Sequence, residues 1–84
     1  MNFVSLVGRL QDFKDERTRL LEVARPESVN NSDNLLIPCQ YWTRDEHNLL
    51  TKLKPGSFII VRGRIDNDDK LGMFIIAEQV TIIK

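Results

Sequence analysis

One cysteine, Cys39, and one histidine, His47, are all that the 84 residues offer to disulfide or zinc chemistry. A single thiol with no ligand-spaced neighbour excludes a disulfide scaffold and a cysteine zinc site, and it suits a reducing interior. Excess charge of either sign is missing too: 12 Lys and Arg offset 12 Asp and Glu. The chain is therefore not a uniformly cationic coat, and only local clustering can build a field. No apolar run nears the ~18 residues that a bilayer-spanning helix needs. The start, Met1-Asn2-Phe3-Val4-Ser5, lacks the basic beginning and apolar core of a signal peptide, so the expected location is cytoplasmic with no membrane partner. With 4 Gly and 3 Pro the chain is neither collagen-like nor of low complexity. No GxxxxGK loop and no serine with a plausible base are present, so no enzyme and no cofactor are expected. What remains is 42% hydrophobic and 29% charged residues, the balance of one globular domain covering residues 1–84. A domain this small buries about two-thirds of its unfolded surface, and self-association would widen its stability margin.

The pattern of apolar residues has mostly period two, the signature of half-buried strands. In FVSLVGRL, Val4, Leu6, Gly8 and Leu10 alternate with Phe3, Ser5, Val7 and Arg9, and LLEVAR (Leu20–Arg25) makes a second strand before Pro26. The polar stretch Glu27–Asn34 reads as an exposed loop. A third strand, Leu35–Trp42, sets Ile37, Cys39 and Tyr41 against Leu36, Pro38, Gln40 and Trp42, and Pro38 predicts an edge or bulged strand. Thr43-Arg-Asp-Glu is a capping box, and Leu49, Leu50 and Leu53 continue it as a short helix ended by Lys54, Pro55 and Gly56. Phe58–Ile65 and Leu71–Ile83 are the fourth and fifth strands, joined by a turn at Asn67–Asp69. Three strands, one short helix and two strands predict an all-β protein. Its form is the five-stranded Greek-key barrel of the OB-fold, with the helix between strands 3 and 4. Gly8 and Gly63 fall mid-strand, where a small barrel coils sharply or bulges.

Parity then assigns faces. With Ile59, Val61, Gly63 and Ile65 inside, Phe58, Ile60, Arg62 and Arg64 point out, as do Trp42 on the third strand and Phe3 and Arg9 on the first. Lys52, Lys54, Arg62 and Arg64 form a basic stretch of sequence without an acid, whereas Asp12, Asp15 and Glu16 sit in one turn and Asp66, Asp68 and Asp69 in another. Ring faces beside cations match an unpaired nucleic-acid strand, whose bases stack and whose phosphates need charge. Two other accounts stay open: strand arginines that only solvate an outer face, and a Trp42 that packs beneath the helix. His47 lies among helix residues as a surface side chain, Cys39 belongs to the core, and Asp66-Asn67-Asp68-Asp69 lacks the spaced glycine and closing glutamate of a calcium loop.

FVSLVGRL, IPCQYW followed by TRDEHNLLTKLKPGS, FIIVRGRI and AEQVTII, in that order, resemble the bacterial single-stranded DNA-binding protein family over nearly the whole chain. The resemblance implies sequence-independent binding and protection of single-stranded DNA in replication, recombination and repair, by a homo-oligomer, either dimer or tetramer. It places Trp42 at a stacking position, with Arg9, Arg62 and Arg64 on DNA-facing strands. Leu36 stands where an aromatic residue is frequent, a loss for which Phe3 and Phe74 compensate in this reading, and Arg62 stands where an acid is frequent. The hairpins are short, and the chain reaches Lys84 without a glycine-rich segment or acidic tail, so recruitment of repair enzymes through such a tail is not expected. The alternatives are a primosomal, replication-restart accessory protein and a protein-interaction module presenting Phe58, Ile60 and Trp42.

Overall fold

The computed structural model describes residues 2–24, 34–42 and 49–83. Five strands and one helix follow the chain: β1 (Val4–Phe13), β2 (Thr18–Val23), β3 (Leu35–Tyr41), α1 (Leu49–Lys52), β4 (Phe58–Asp68) and β5 (Gly72–Ile82). They close into a barrel in the order β1-β2-β3-β5-β4, with β4 returning to β1. Every ladder is antiparallel except β3 with β5. This is the OB-fold, with the short helix between β3 and β4. The second strand begins at Thr18, earlier than the apolar run at Leu20 indicates, because Asp15 turns the chain by accepting hydrogen bonds at Oδ1 from the amides of Arg17 and Thr18, both at 2.9 Å. The capping box at Thr43–Glu46, His47 and the loop from Glu27 to Asp33 lie outside the described residues.

Alternation fixes the core. Leu10 on β1, Leu21 on β2, Cys39 on β3 and Ile59 and Val61 on β4 are fully buried, together with Leu50 of α1. Burial pushes the Cys39 thiol up to about 12, which keeps it protonated and unreactive. Two glycines permit the tight coiling. A Cβ on Gly8 would meet the Glu22 carbonyl oxygen at 2.4 Å, and one on Gly63 would meet that of Ile76 at 1.9 Å. At Gly63 the register slips: Arg62 pairs with Gln79 but Gly63 with Ala77, leaving Glu78 as the extra residue of a bulge. Pro38 pairs with Leu20 of β2 and precedes Cys39, where pairing with β5 begins, so it sits in the half of β3 that has one neighbour.

The two ends of the barrel differ. At one end Leu50 enters the core, and α1 packs against β3 and β5. The carbonyls at the end of α1 have no partner within the helix, and Arg19 supplies one. This side chain is 1% exposed. Its Nη1 donates to the carbonyls of Leu50 (2.9 Å) and Leu53, its Nε and Nη2 donate to that of Gln11 (3.0 and 2.8 Å), and its guanidinium lies 4.6 Å from the centre of the Phe13 ring. Burial lowers the Arg19 pKa from its ordinary value, with Asp12 opposing the shift. At the other end no described residue forms such a plug, and Val4, Leu6, Ile37, Ile65 and Ile75 line an open cavity.

Candidate nucleic-acid interface

The residues singled out in sequence emerge from the outer sheet in rows set by register. Phe3 precedes the pair Val4–Gly63 and so stands level with Arg64. Arg64 pairs with Ile76 of β5, and Ile76 pairs with Gln40 of β3. One row therefore crosses four strands as Phe3, Arg64, Ile76 and Gln40. Beside it run Ser5, Arg62 and Gln79, and at the helix end Arg9 pairs with Phe58. Neighbouring strands lie about 4.8 Å apart, so the row from Phe3 to Gln40 spans roughly 15 Å.

Trp42 follows Gln40 by two residues at the end of β3 and is tied to the row through it. Its indole is 53% exposed, which rules out packing beneath the helix. It is not loose, however: Nε1 donates to Gln40 Oε1 at 2.6 Å, and the Gln40 amide in turn donates to Thr18 Oγ1 at 2.9 Å. The ring leans on Phe74 with centroids 6.4 Å apart and planes tilted by 40°. This presents an oriented aromatic plane with one edge pinned and much of its surface free, the arrangement that stacking requires.

The cations divide into groups. Arg9 lies over the Phe58 ring, its guanidinium carbon 4.9 Å from the centroid, which holds the charge at the surface without neutralising it. Arg62 and Arg64 are exposed on β4. Arg64 meets Glu78 at 3.5 Å, the side chain that the bulge swings onto this face. The acid-free stretch read along the chain is therefore not acid-free in space. Lys52 and Lys54 are exposed on α1 and the turn after it, at the end of the barrel and not on the sheet face with Arg62 and Arg64.

Phe74 requires a correction. It is 4% exposed, so it cannot offer a face to a base; it supports Trp42 from below. Phe74 and Ile76 alternate with the core residues Ile75 and Ala77 and yet are buried as well. The family resemblance alone put Phe74 at the surface, and no face was assigned on the fifth strand. Gln40 was also missed, although its place two residues before Trp42 on the same face of β3 was a usable signal. Nothing local indicated Arg19 or Glu78. Among the described residues no group of three or more His, Cys, Asp or Glu side chains is placed to hold a metal ion.

No protein-family model and no curated protein matches the chain. Solved structures do. The mitochondrial single-stranded DNA binding protein of S. cerevisiae superposes with a TM-score of 0.68 at 15% identity, over 99% of this chain and 94% of that one. A deletion mutant of the single-stranded DNA binding protein from Thermus aquaticus gives 0.68 at 22% identity, over 100% of this chain and 42% of that one. The dimeric N-terminal domain of PriB protein from Thermoanaerobacter tencongensis gives 0.62 at 21%, over 99% and 97%. At such identities the likeness establishes the shared OB barrel.

Proposed function

We propose that this protein binds single-stranded DNA without reading its sequence, using the outer face that carries Trp42, Arg64, Phe3 and Arg62. The observation that carries this reading is the exposed indole of Trp42, pinned by its hydrogen bond to Gln40, which stands in the same cross-strand row as Arg64 and Phe3. Bases stack on Trp42 and on the exposed Phe3, while Arg62, Arg64 and Arg9 meet phosphates. Lys52 and Lys54 prolong the basic track toward the helix end. Stacking contributes about 1–3 kcal/mol per base, and each phosphate neutralised adds a salt-dependent gain from counterion release. The Arg64–Glu78 contact is exposed and therefore weak, so a phosphate can take the arginine over at little cost. Two of the structural neighbours are described as single-stranded DNA binding proteins, which supports the same reading.

In the cell this activity would shield unpaired DNA in replication, recombination and repair. Homo-oligomer formation fits the exposed apolar residues Val7, Phe58 and Ile82, and the proposed site is cytoplasmic. No reaction is assigned to the chain.

Because Trp42 is the sole tryptophan, its fluorescence tests the reading directly. Titration with oligothymidine is expected to quench the emission, and the affinity is expected to fall as salt rises. Replacing Arg62 and Arg64 by alanine is expected to reduce the slope of log affinity against log salt by about 1–2. Unchanged emission together with no retarded complex in a gel would overturn the proposal.

A further inference from the structure

We propose that the open end of the barrel is a docking pocket for a peptide segment of a partner protein, one that inserts a single aliphatic or aromatic side chain and carries Lys or Arg beside it. The cavity there has a volume of about 280 Å³. Val4 and Leu6 of β1, Ile37 of β3, Ile65 of β4 and Ile75 of β5 form its walls, and Met73 and Leu36 stand at its rim. Those two rim residues are 66% and 56% exposed. Size and chemistry narrow the occupant. Sites for drug-sized ligands start at about 300 Å³, whereas a cavity of about 150 Å³ already accepts a benzene ring, so this one suits a side chain better than a whole cofactor. A nucleobase is excluded by its own polarity: no lining side chain offers nitrogen or oxygen, and its edge groups would lose their hydrogen bonds on entry.

The charge around the mouth selects among apolar occupants. Ile65 and Met73 belong to the β4–β5 hairpin, whose intervening residues include Asp66, Asp68 and Asp69 against one cation, Lys70. All three carboxylates are exposed, and among the described residues none is in an ion pair. Asp68 Oδ1 accepts from the amides of Lys70 (2.7 Å) and Leu71 (3.3 Å), and Asp66 Oδ1 accepts from that of Asn67 (2.7 Å), which fixes the direction of the negative edge. An apolar socket flanked on its hairpin side by three carboxylates favours a basic segment with an apolar anchor over a lipid carboxylate, a DNA phosphate or an acidic peptide. Phe74, on which Trp42 leans, also lines this pocket, so the pocket adjoins the face that carries Trp42.

The test uses the full chain and fluorophore-labelled synthetic peptides in which a leucine is flanked by lysines. Saturable binding is expected, weakened by salt. It is expected to fall about tenfold when the leucine is replaced by serine, the equivalent of about 1.4 kcal/mol. Met73→Lys is expected to cause a similar loss, and Asp66→Asn with Asp69→Asn a loss of about two- to fivefold. These positions are exposed, and melting curves are expected to stay at the wild-type temperature; if Met73→Lys does not fold, Leu36→Asn on β3 carries the same test. Equal binding of a peptide with glutamates in place of the lysines overturns the proposal, as does the absence of binding. Displacement of the peptide by oligothymidine, or self-association that Met73→Lys abolishes, overturns it too, by giving the pocket to DNA or to a second copy.

Discussion

The two ends of this barrel are built from the same kinds of residue and finished in opposite ways. At the helix end Leu50 fills the interior, and Arg19 donates hydrogen bonds to three carbonyls. At the far end Leu6, Ile37, Ile65 and Ile75 meet no plug among the described residues and line an open apolar cavity. The comparison teaches that a seal across the end of a small barrel has to satisfy the backbone polar groups it covers. The unsealed end is then free for recognition.

Removing the seal is the most damaging way to test this contrast. Arg19→Met removes a fully buried guanidinium together with its hydrogen bonds to the carbonyls of Gln11, Leu50 and Leu53 and is expected to cost about 3 kcal/mol or more in denaturant melts. Arg19→Lys is expected to recover only part, since one ammonium cannot reproduce the planar fork. A neutral Arg19→Met would show that packing alone closes this end. Next, one substitution made at both ends sharpens the difference. Ile59→Ala, fully buried near the seal, is expected to cost about 3–4 kcal/mol, whereas Ile65→Ala at the mouth is expected to cost about 1, because solvent already reaches its surroundings. Equal costs would mean that the cavity is not open in solution.

A binding measurement separates the ends by function. Trp42→Ala is expected to weaken oligothymidine binding by about 1–3 kcal/mol with little change in melting temperature, since the indole is half exposed. Met73→Ser at the mouth is expected to leave that affinity unchanged. The smallest effect concerns the turn at the sealed end. Hydrogen bonds from the amides of Arg17 and Thr18 hold the Asp15 carboxyl below its ordinary pKa. A folded-state value below the unfolded one means that the stabilisation is complete above the ordinary carboxylate range and is lost as pH falls through the folded value. Carbon-detected NMR titration of Asp15 is expected to show the lowered midpoint, and Asp15→Ala is expected to flatten the acid limb of the stability curve slightly.

Much of the fold was legible because the strands follow the simplest periodicity in proteins. The alternation in Phe3–Leu10 and Phe58–Ile65 gave both the elements and their buried sides, and Leu10, Ile59 and Val61 lie in the core as that alternation requires. Gly8 and Gly63 marked the places where strands approach too closely for a Cβ. The outward placement of Trp42, Arg62 and Arg64 was equally readable. Phe74 was not, because the resemblance that put it at the surface says nothing of the groups that cover it. Lys52 and Lys54 were close to the arginines in sequence, but α1 and its turn keep them at the barrel end.

The amino-acid order alone determined the strands, the interior residues and the presence of an outward indole, since each follows from the alternating geometry of an extended chain. Pairing between distant segments decided the rest. It set Arg64, Ile76 and Gln40 in one row, swung Glu78 onto Arg64 by a single extra residue, buried Arg19 beneath the helix end and left the opposite end open. Those features depend on register and closure across the barrel, which no local stretch of sequence contains.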